Sequence, residues 1–232
     1  MTLDFSRFKV LTFDCYGTLI DWESGILHAV RPVLDRHDVE VPDATLLETY
    51  AGLEAKYEEG EYLPYALVLR LVMTEMSLRY RFDATPAELD CISRSIGQWE
   101  PFPDTVDALR RLARRYRLAV VSNVDDRLFA ATAGRLAFAF DWIVTAQQAR
   151  AYKPSHRMFE KAFEKIGYPR SEILHVAQSI YHDVMPAKAL GLSTVWVNRR
   201  AGKMGSGATW PAIADADVTV TDLGSLADLA GV

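Results

Sequence analysis

Asp14 has the clearest chemical potential in this chain. It closes the apolar run Phe8 to Phe13 and is followed by Cys15, Tyr16 and Gly17. The run reads as a strand, and Gly17 lets the backbone turn where a side chain would obstruct it. The pattern predicts a carboxylate at the carboxyl end of a parallel strand, where open α/β sheets bind ligands. A carboxylate held there can attack an electrophile and form a covalent ester. The other reading is an Asp that only ends a strand or caps a helix, which for a lone residue is the commoner case. Other candidates carry less. Cys15 has no cation beside it in sequence to lower its thiol pKa, which suits a small buried apolar role. The five histidines show no zinc-ligand spacing. Gly202-Lys203-Met204-Gly205-Ser206-Gly207 lacks both the glycine spacing of a phosphate-binding loop and a following helical run, so it reads as a flexible surface or active-site loop.

Asp14-x-Tyr16-Gly17-Thr18 resembles the first motif of the haloacid dehalogenase-like hydrolases. Similar later segments follow in order: Val120-Val121-Ser122-Asn123, Lys153-Pro154, and His175-Val176-Ala177-Gln178-Ser179 through Asp183. The resemblance spans nearly the whole chain and leaves residues 21–98 as an insertion. It implies that Asp14 is a nucleophile whose aspartyl ester water then hydrolyses. Thr18 would fix the Asp14 rotamer, and Lys153 would orient and neutralise it. Asp183 would anchor Lys153 or position the hydrolytic water. Ser122 and Asn123 would bind the substrate carboxylate. Cys15, Tyr16, Trp22 and Ser179 complete the expected substrate-binding set, with His182 behind Ser179. Asp125 either recognises an amino or imino group or caps the helix it starts.

Two positions bear on the reaction class. Family phosphatases carry a second aspartate two residues after the first, where this chain has Tyr16. A phenol with a reference pKa of ~10 is a poor substitute for a carboxylic acid tuned to neutral pH. Family phosphatases also carry a magnesium-binding aspartate where this chain has Gln178, and magnesium favours anionic oxygen ligands. The resemblance therefore implies no cofactor and no metal, with magnesium entering only under a phosphatase alternative. Tyrosine at position 16 is what the family's metal-free haloacid dehalogenases carry, so displacement of halide at carbon two of a 2-halocarboxylate leads. The Phe13-to-Trp22 start, with Ser122-Asn123-x-Asp125 and Tyr181-His182-Asp183, is also similar to the azetidine-2-carboxylate hydrolase branch, which opens a strained ring at carbon two. A magnesium-dependent small-molecule phosphatase and a non-catalytic carboxylate-binding homologue remain as alternatives. Against halide stand two departures. Tyr50-Ala51-Gly52-Leu53 has no arginine where dehalogenases place one beside the halide, and Phe159 stands where they carry a tyrosine.

The elements that must position these residues are legible as periods. Strands are expected at Phe8 to Phe13, Leu118 to Val121, Trp142 to Thr145, Ile173 to Ala177, Thr194 to Val197 and Val218 to Thr221, alternating with helices. That alternation predicts an α/β fold, a Rossmann-like, mostly parallel sheet with helices on both faces. Residues 21–98 read as all-helical: a first helix capped by Ser24, then Asp43 to Glu59 with Leu46, Leu47, Tyr50, Leu53 and Tyr57 inward, then Leu63 to Tyr80, then a helix started by Thr85-Pro86. The expected organisation is a core of residues 1–20 and 99–232 and an inserted helical cap domain of residues 21–98, a lid over the first strand. Asp104 is expected to cap the next helix, whose Arg110, Arg111, Arg114 and Arg115 form a solvated face.

With 232 residues, half apolar and a quarter charged, the composition is that of a globular protein. The formal charge of −5 gives no electrostatic reason to expect nucleic acid or a membrane surface as partner. No apolar run approaches the ~20 residues of a membrane span. The opening Met-Thr-Leu-Asp-Phe-Ser-Arg lacks the apolar core of a leader, and two cysteines make no disulfide framework, so a cytoplasmic location is expected. The expected partner is a small-molecule carboxylate, with a homodimer as the base-rate assembly.

Overall fold

A computed structural model describes residues 3–232, so the first two residues of the expected core segment lie outside it. Six strands form one parallel sheet: β1 (Val10–Phe13), β2 (Arg117–Ser122), β3 (Trp142–Thr145), β4 (Ile173–Ala177), β5 (Ser193–Val197) and β6 (Val218–Val220). Their order is β3-β2-β1-β4-β5-β6. The chain moves one way from β1 to β3 and the other way from β4 to β6, so β1 and β4 flank the topological switch point. Every residue of these two strands is buried, as central strands covered on both faces require. β1 starts at Val10 rather than Phe8 because Phe5–Arg7 forms a 3-10 turn capped by the Asp4 side chain.

Between β1 and β2 the chain leaves the sheet and forms α1 (Trp22–Arg36), α2 (Asp43–Glu58), α3 (Tyr65–Tyr80), α4 (Pro86–Leu89) and α5 (Cys91–Ser95). Its two legs meet where Ile20 bridges Pro101 and the Asp21 N–H donates to Glu100 O (2.9 Å). Asp21, not Ser24, caps α1, and its carboxylate accepts from the Ser24 hydroxyl (2.7 Å) and N–H (3.3 Å). The Thr85–Glu88 capping box forms as expected, but the helix it starts breaks at Asp90 into α4 and α5. The inward face of α2 is rotated from the expected one. Leu46, Leu47 and Tyr50 are buried, but so is Glu54, whereas Leu53 and Tyr57 are half-buried.

Crossovers running in opposite directions from the switch point carry α6 (Thr105–Leu112), α7 (Asp126–Leu136), α8 (Ala146–Ala149), α9 (His156–Ile166), α10 (Met185–Ala189) and α11 (Leu223–Leu229). Asp104 precedes α6 without capping it. Its carboxylate instead accepts from Arg199 and from the Leu223 N–H, each at 2.7 Å. Among the described residues, no helix is long and apolar enough to cross a membrane.

Candidate active site

β1 and β4 deliver two acids to the same crevice. Asp14 follows β1 directly, and its N–H still pairs with Val176 O of β4 (3.1 Å). Asp183 lies in a single wide turn, Ile180–Val184, just beyond β4, which the Ser179 hydroxyl caps through the His182 N–H (2.9 Å). Between them runs Lys153, from the loop that joins α8 to α9. Its Nζ donates to Asp14 Oδ1 (2.8 Å), Asp183 Oδ1 (2.8 Å) and Val121 O (3.0 Å). An ammonium has three protons, and here all three are engaged. Thr18 Oγ1 donates to Asp14 Oδ2 (2.6 Å) and accepts from the Gln178 N–H (2.9 Å). Both oxygens of Asp14 are thus held in place.

The network continues into the sheet. His175 Nε2 meets Asp183 Oδ1 (2.9 Å), and His175 Nδ1 meets Thr12 Oγ1 (2.8 Å). Thr12 and His175 are register partners in β1 and β4, so a polar pair crosses the centre of the sheet. Burial would discharge Lys153, but Asp14 and Asp183 override it and hold the ammonium above its ordinary pKa. Burial lifts Asp14 above the usual carboxylate range, with Lys153 pulling the other way. Burial also works against Asp183, yet Lys153 and His175 keep it below the usual range and ionised. Burial lowers His182 to about 4, so its ring is neutral at pH 7.

Asp14 opens on a small cavity under the lid, with about 30 Å³ of room for the centres of water-sized occupants. That is space for about two or three waters. Asp14, Tyr16, Ser122, Asn123, Lys153, Ser179 and Asp183 line it from the sheet side, with Trp22 from the lid. Trp22 reaches in because position 17 is glycine: φ is +92°, and a Cβ there would lie 2.8 Å from Trp22 Nε1. The Tyr16 phenol is bound to Thr132 Oγ1 (2.7 Å), and burial keeps it protonated. Ser122 Oγ is wholly buried and has no partner. Asn123 is fully committed as a tie. Its amide nitrogen donates to Glu58 Oε2 and Lys153 O (both 3.0 Å), and its oxygen accepts from the Lys153 N–H (2.7 Å). No N–H of its side chain is left for the carboxylate it was expected to bind.

Two expected residues lie away from the cavity. Cys15 is wholly buried behind the wall, and burial pushes its thiol up, so it packs and does not touch a ligand. Asp125 neither lines the cavity nor caps α7 with its side chain. It accepts from the Tyr65 N–H (2.9 Å), the Ala66 N–H (3.0 Å) and Tyr62 OH (3.0 Å). It therefore caps α3 across the seam and docks the lid, because the free N–H groups at that helix start have no nearer acceptor.

The cavity also has walls that the motifs did not point to. Glu54 and Glu58 of α2 line it, with Tyr65 of α3 and Thr209 from the loop after β5. The spacing of Tyr50, Glu54 and Glu58, four residues apart, was the available signal, since it puts all three on one helix face. The glycine-rich loop before Thr209 is fastened to the lid. Arg200 donates to Glu23 (2.5 Å), and Glu23 accepts from the Ala208 N–H (3.0 Å).

A family model described as haloacid dehalogenase-like hydrolase matches residues 8–191. An (S)-2-haloacid dehalogenase of Pseudomonas sp. (strain YL) is 31% identical over 217 residues, which cover 87% of this chain and 89% of that protein. Among solved structures, a defluorinating L-2-haloacid dehalogenase superposes with a TM-score of 0.81 at 23% identity, covering 97% of this chain and 96% of that one. The L-2-haloacid dehalogenase of Xanthobacter autotrophicus with chloropropionic acid covalently bound superposes with a TM-score of 0.79 at 20% identity, covering 96% and 98%. At these identities the two superpositions show the shared fold.

Proposed function

From a chain that belongs to the haloacid dehalogenase-like hydrolases, we propose a hydrolase that acts on a small 2-substituted carboxylic acid through an ester on Asp14, with halide as the leaving group. The observation that carries this is the three-way hold of Lys153, which sets an ammonium against Asp14 and fixes its orientation where the carboxyl is almost wholly buried. An Asp14 oxygen attacks carbon two, and the carbon–halogen bond breaks with its electron pair leaving on the halide. Water then attacks the Asp14 carbonyl carbon, and the ester breaks to release a 2-hydroxy acid and restore the carboxylate. The oxyanion formed on the way sits on the Asp14 oxygen that does not carry the ester, where its own donor stabilises it, Lys153 at Oδ1 or Thr18 at Oδ2. Asp183 Oδ2, buried and without a partner, is the acceptor for the proton of that water. Ser122 Oγ donates to the substrate carboxylate.

Halide leaves without a proton, which suits a Tyr16 whose phenol stays protonated and bound to Thr132. The residues fit a magnesium phosphatase poorly. The Gln178 amide oxygen already accepts from Thr209 Oγ1 (2.9 Å). Among the described residues, no group of three His, Cys, Asp or Glu is arranged to hold a metal. The free thiols of Cys15 and Cys91 suit a reducing cytoplasm. A single turnover of 2-chloropropionate in oxygen-18 water tests the mechanism. The first hydroxyl formed is expected to carry unlabelled oxygen from Asp14, with the label left in the protein. Fully labelled product from that turnover shows direct attack by water and refutes the ester.

A further inference from the structure

The wall that the lid gives to the cavity differs in kind from what an anionic substrate needs. Glu54 and Glu58 sit one turn apart on α2, beside Asp14 and Asp183, so four carboxyl groups face one small space. The one cation among the lining residues is Lys153, whose three protons are already engaged. Glu54 Oε1 accepts from Tyr50 OH (2.7 Å) and Tyr65 OH (2.5 Å). Glu58 Oε2 accepts from Asn123, while its Oε1 is buried without a partner. Two neutral groups on the same cavity are also unsatisfied: Ser122 Oγ, which is wholly buried, and His182 Nε2, which lies 3.6 Å from Glu58. Buried polar groups are nearly always paired, so the space is complementary to a polar occupant that the chain does not itself supply.

A plain halocarboxylate brings one more negative charge to this surplus of acids. Wherever either glutamate ionises, a departing halide beside it is repelled as well. Burial raises Glu54 to about 7, with the Asp14 charge acting the same way, and burial pushes Glu58 up as well, with Glu54 adding to the shift. A positive group between them reverses that balance and gains charge-assisted hydrogen bonds.

We propose that Glu54 and Glu58 form a subsite for a protonated nitrogen, so that the preferred substrate is a small zwitterion with an ammonium group within reach of carbon two as well as its carboxylate. The inference rests on the Asp14 ester and adds what the lid selects. Two sources share this chemistry. The ammonium is either a side-chain substituent of a 2-halo acid or the ring nitrogen of a cyclic imino acid. In the second case the C2–N pair stays on nitrogen as the Asp14 ester forms. The nitrogen keeps its two protons as a primary amine and takes a third from Glu54 or solvent.

The test uses the full chain and a matched pair, 3-amino-2-chloropropionate and 2-chlorobutyrate, which differ by an ammonium in place of a methyl group, together with azetidine-2-carboxylate. Release of the 2-hydroxy acid gives kcat/KM, and mass spectrometry of quenched enzyme reports the Asp14 ester. At least one nitrogen-bearing acid is expected to exceed 2-chlorobutyrate at least tenfold, and which one does so identifies the source. Glu54→Gln and Glu58→Gln are each expected to shrink that ratio at least threefold. A wild-type ratio near one, or a ratio that both variants leave intact, overturns the subsite while an observed ester keeps the Asp14 mechanism standing. Absence of the ester with all three acids removes both. If a variant fails to fold, the wild-type ratio decides alone.

Discussion

Glu54→Gln should make this protein more stable in alkali, an unusual outcome for substitution of a buried hydrogen-bonded residue. Glu54 is 3% exposed, and burial raises its carboxyl from 4.5 to about 7. Below pH 4.5 the group is protonated whether the chain is folded or unfolded, and its contribution is fully present. As pH rises through about 7 that contribution is lost, because the folded state must then hold a buried charge that the unfolded chain leaves in water. At about 1.4 kcal/mol per pH unit, the gap is worth about 3 kcal/mol. Glutamine keeps the Oε1 acceptor for Tyr50 and Tyr65 and never ionises. The stability of the variant relative to wild type should therefore climb by up to about 3 kcal/mol between pH 4.5 and 8.5, or about 6–12 °C in Tm for a chain of this size. Glu58 shares the burial, so the double variant should climb further. Thermal denaturation followed by circular dichroism at constant ionic strength reads the difference. Parallel curves would show that Glu54 does not titrate in this range, and curves that favour wild type as pH rises would reverse the sign and refute the buried acid wall.

Asp14→Asn keeps the volume but removes the attacking charge, so turnover should fall at least ~10³-fold with an unchanged far-ultraviolet spectrum; steady-state halide release measures it, and retained turnover removes the nucleophile assignment. Lys153→Met leaves Asp14 and Asp183 as an uncompensated buried pair, an expected loss of about 3–5 kcal/mol in urea denaturation. That loss should shrink in acid, where one of the two acids can protonate. Asp125→Ala removes three hydrogen bonds from the lid seam and should cost about 1–2 kcal/mol. It should also speed proteolysis of the Glu59–Pro64 connection, and an unchanged cleavage rate would show that the cap on α3 does not hold the lid down.

The strands could be read from sequence because a doubly covered parallel sheet needs near-continuous apolar runs, and β3 and β4 fall on the expected limits. Asp14, Thr18, Lys153 and Asp183 were legible for a different reason: each follows a strand or precedes a helix in a recognisable order. Long-range polar contacts left no such trace. Asp125 begins α7, so its own sequence context suggests a local cap, yet its acceptors serve a helix start sixty residues earlier in the chain. His175 reads as one polar residue inside an apolar strand, and only the β1–β4 register shows that it faces Thr12. Glu54 and Glu58 were missed because a charged residue in an amphipathic helix is assigned to the solvated side. That assignment fails where the helix covers a polar cavity rather than an apolar core. Asp104 failed by competition: Arg199 and the start of α11 take the oxygens that α6 would otherwise use.

Polar ties as well as apolar contacts cross the seam between the inserted helices and the sheet. Asn123 bonds Glu58, Asp125 caps α3, Tyr152 OH donates to Leu63 O (2.7 Å), and Arg200 pairs with Glu23. A hydrogen bond of this kind exchanges for water at a net cost of about 0.5–1.5 kcal/mol, far less than separating an apolar interface of equal area. The cavity beside Asp14 is small, with room for about two or three waters. The Asn123 amide that bonds Glu58 also accepts from the Lys153 N–H through its oxygen. The contact that joins α2 to the sheet side is therefore also the one that steadies the backbone from which Lys153 reaches Asp14, so the placement of α2 and the orientation of Asp14 share one contiguous set of contacts.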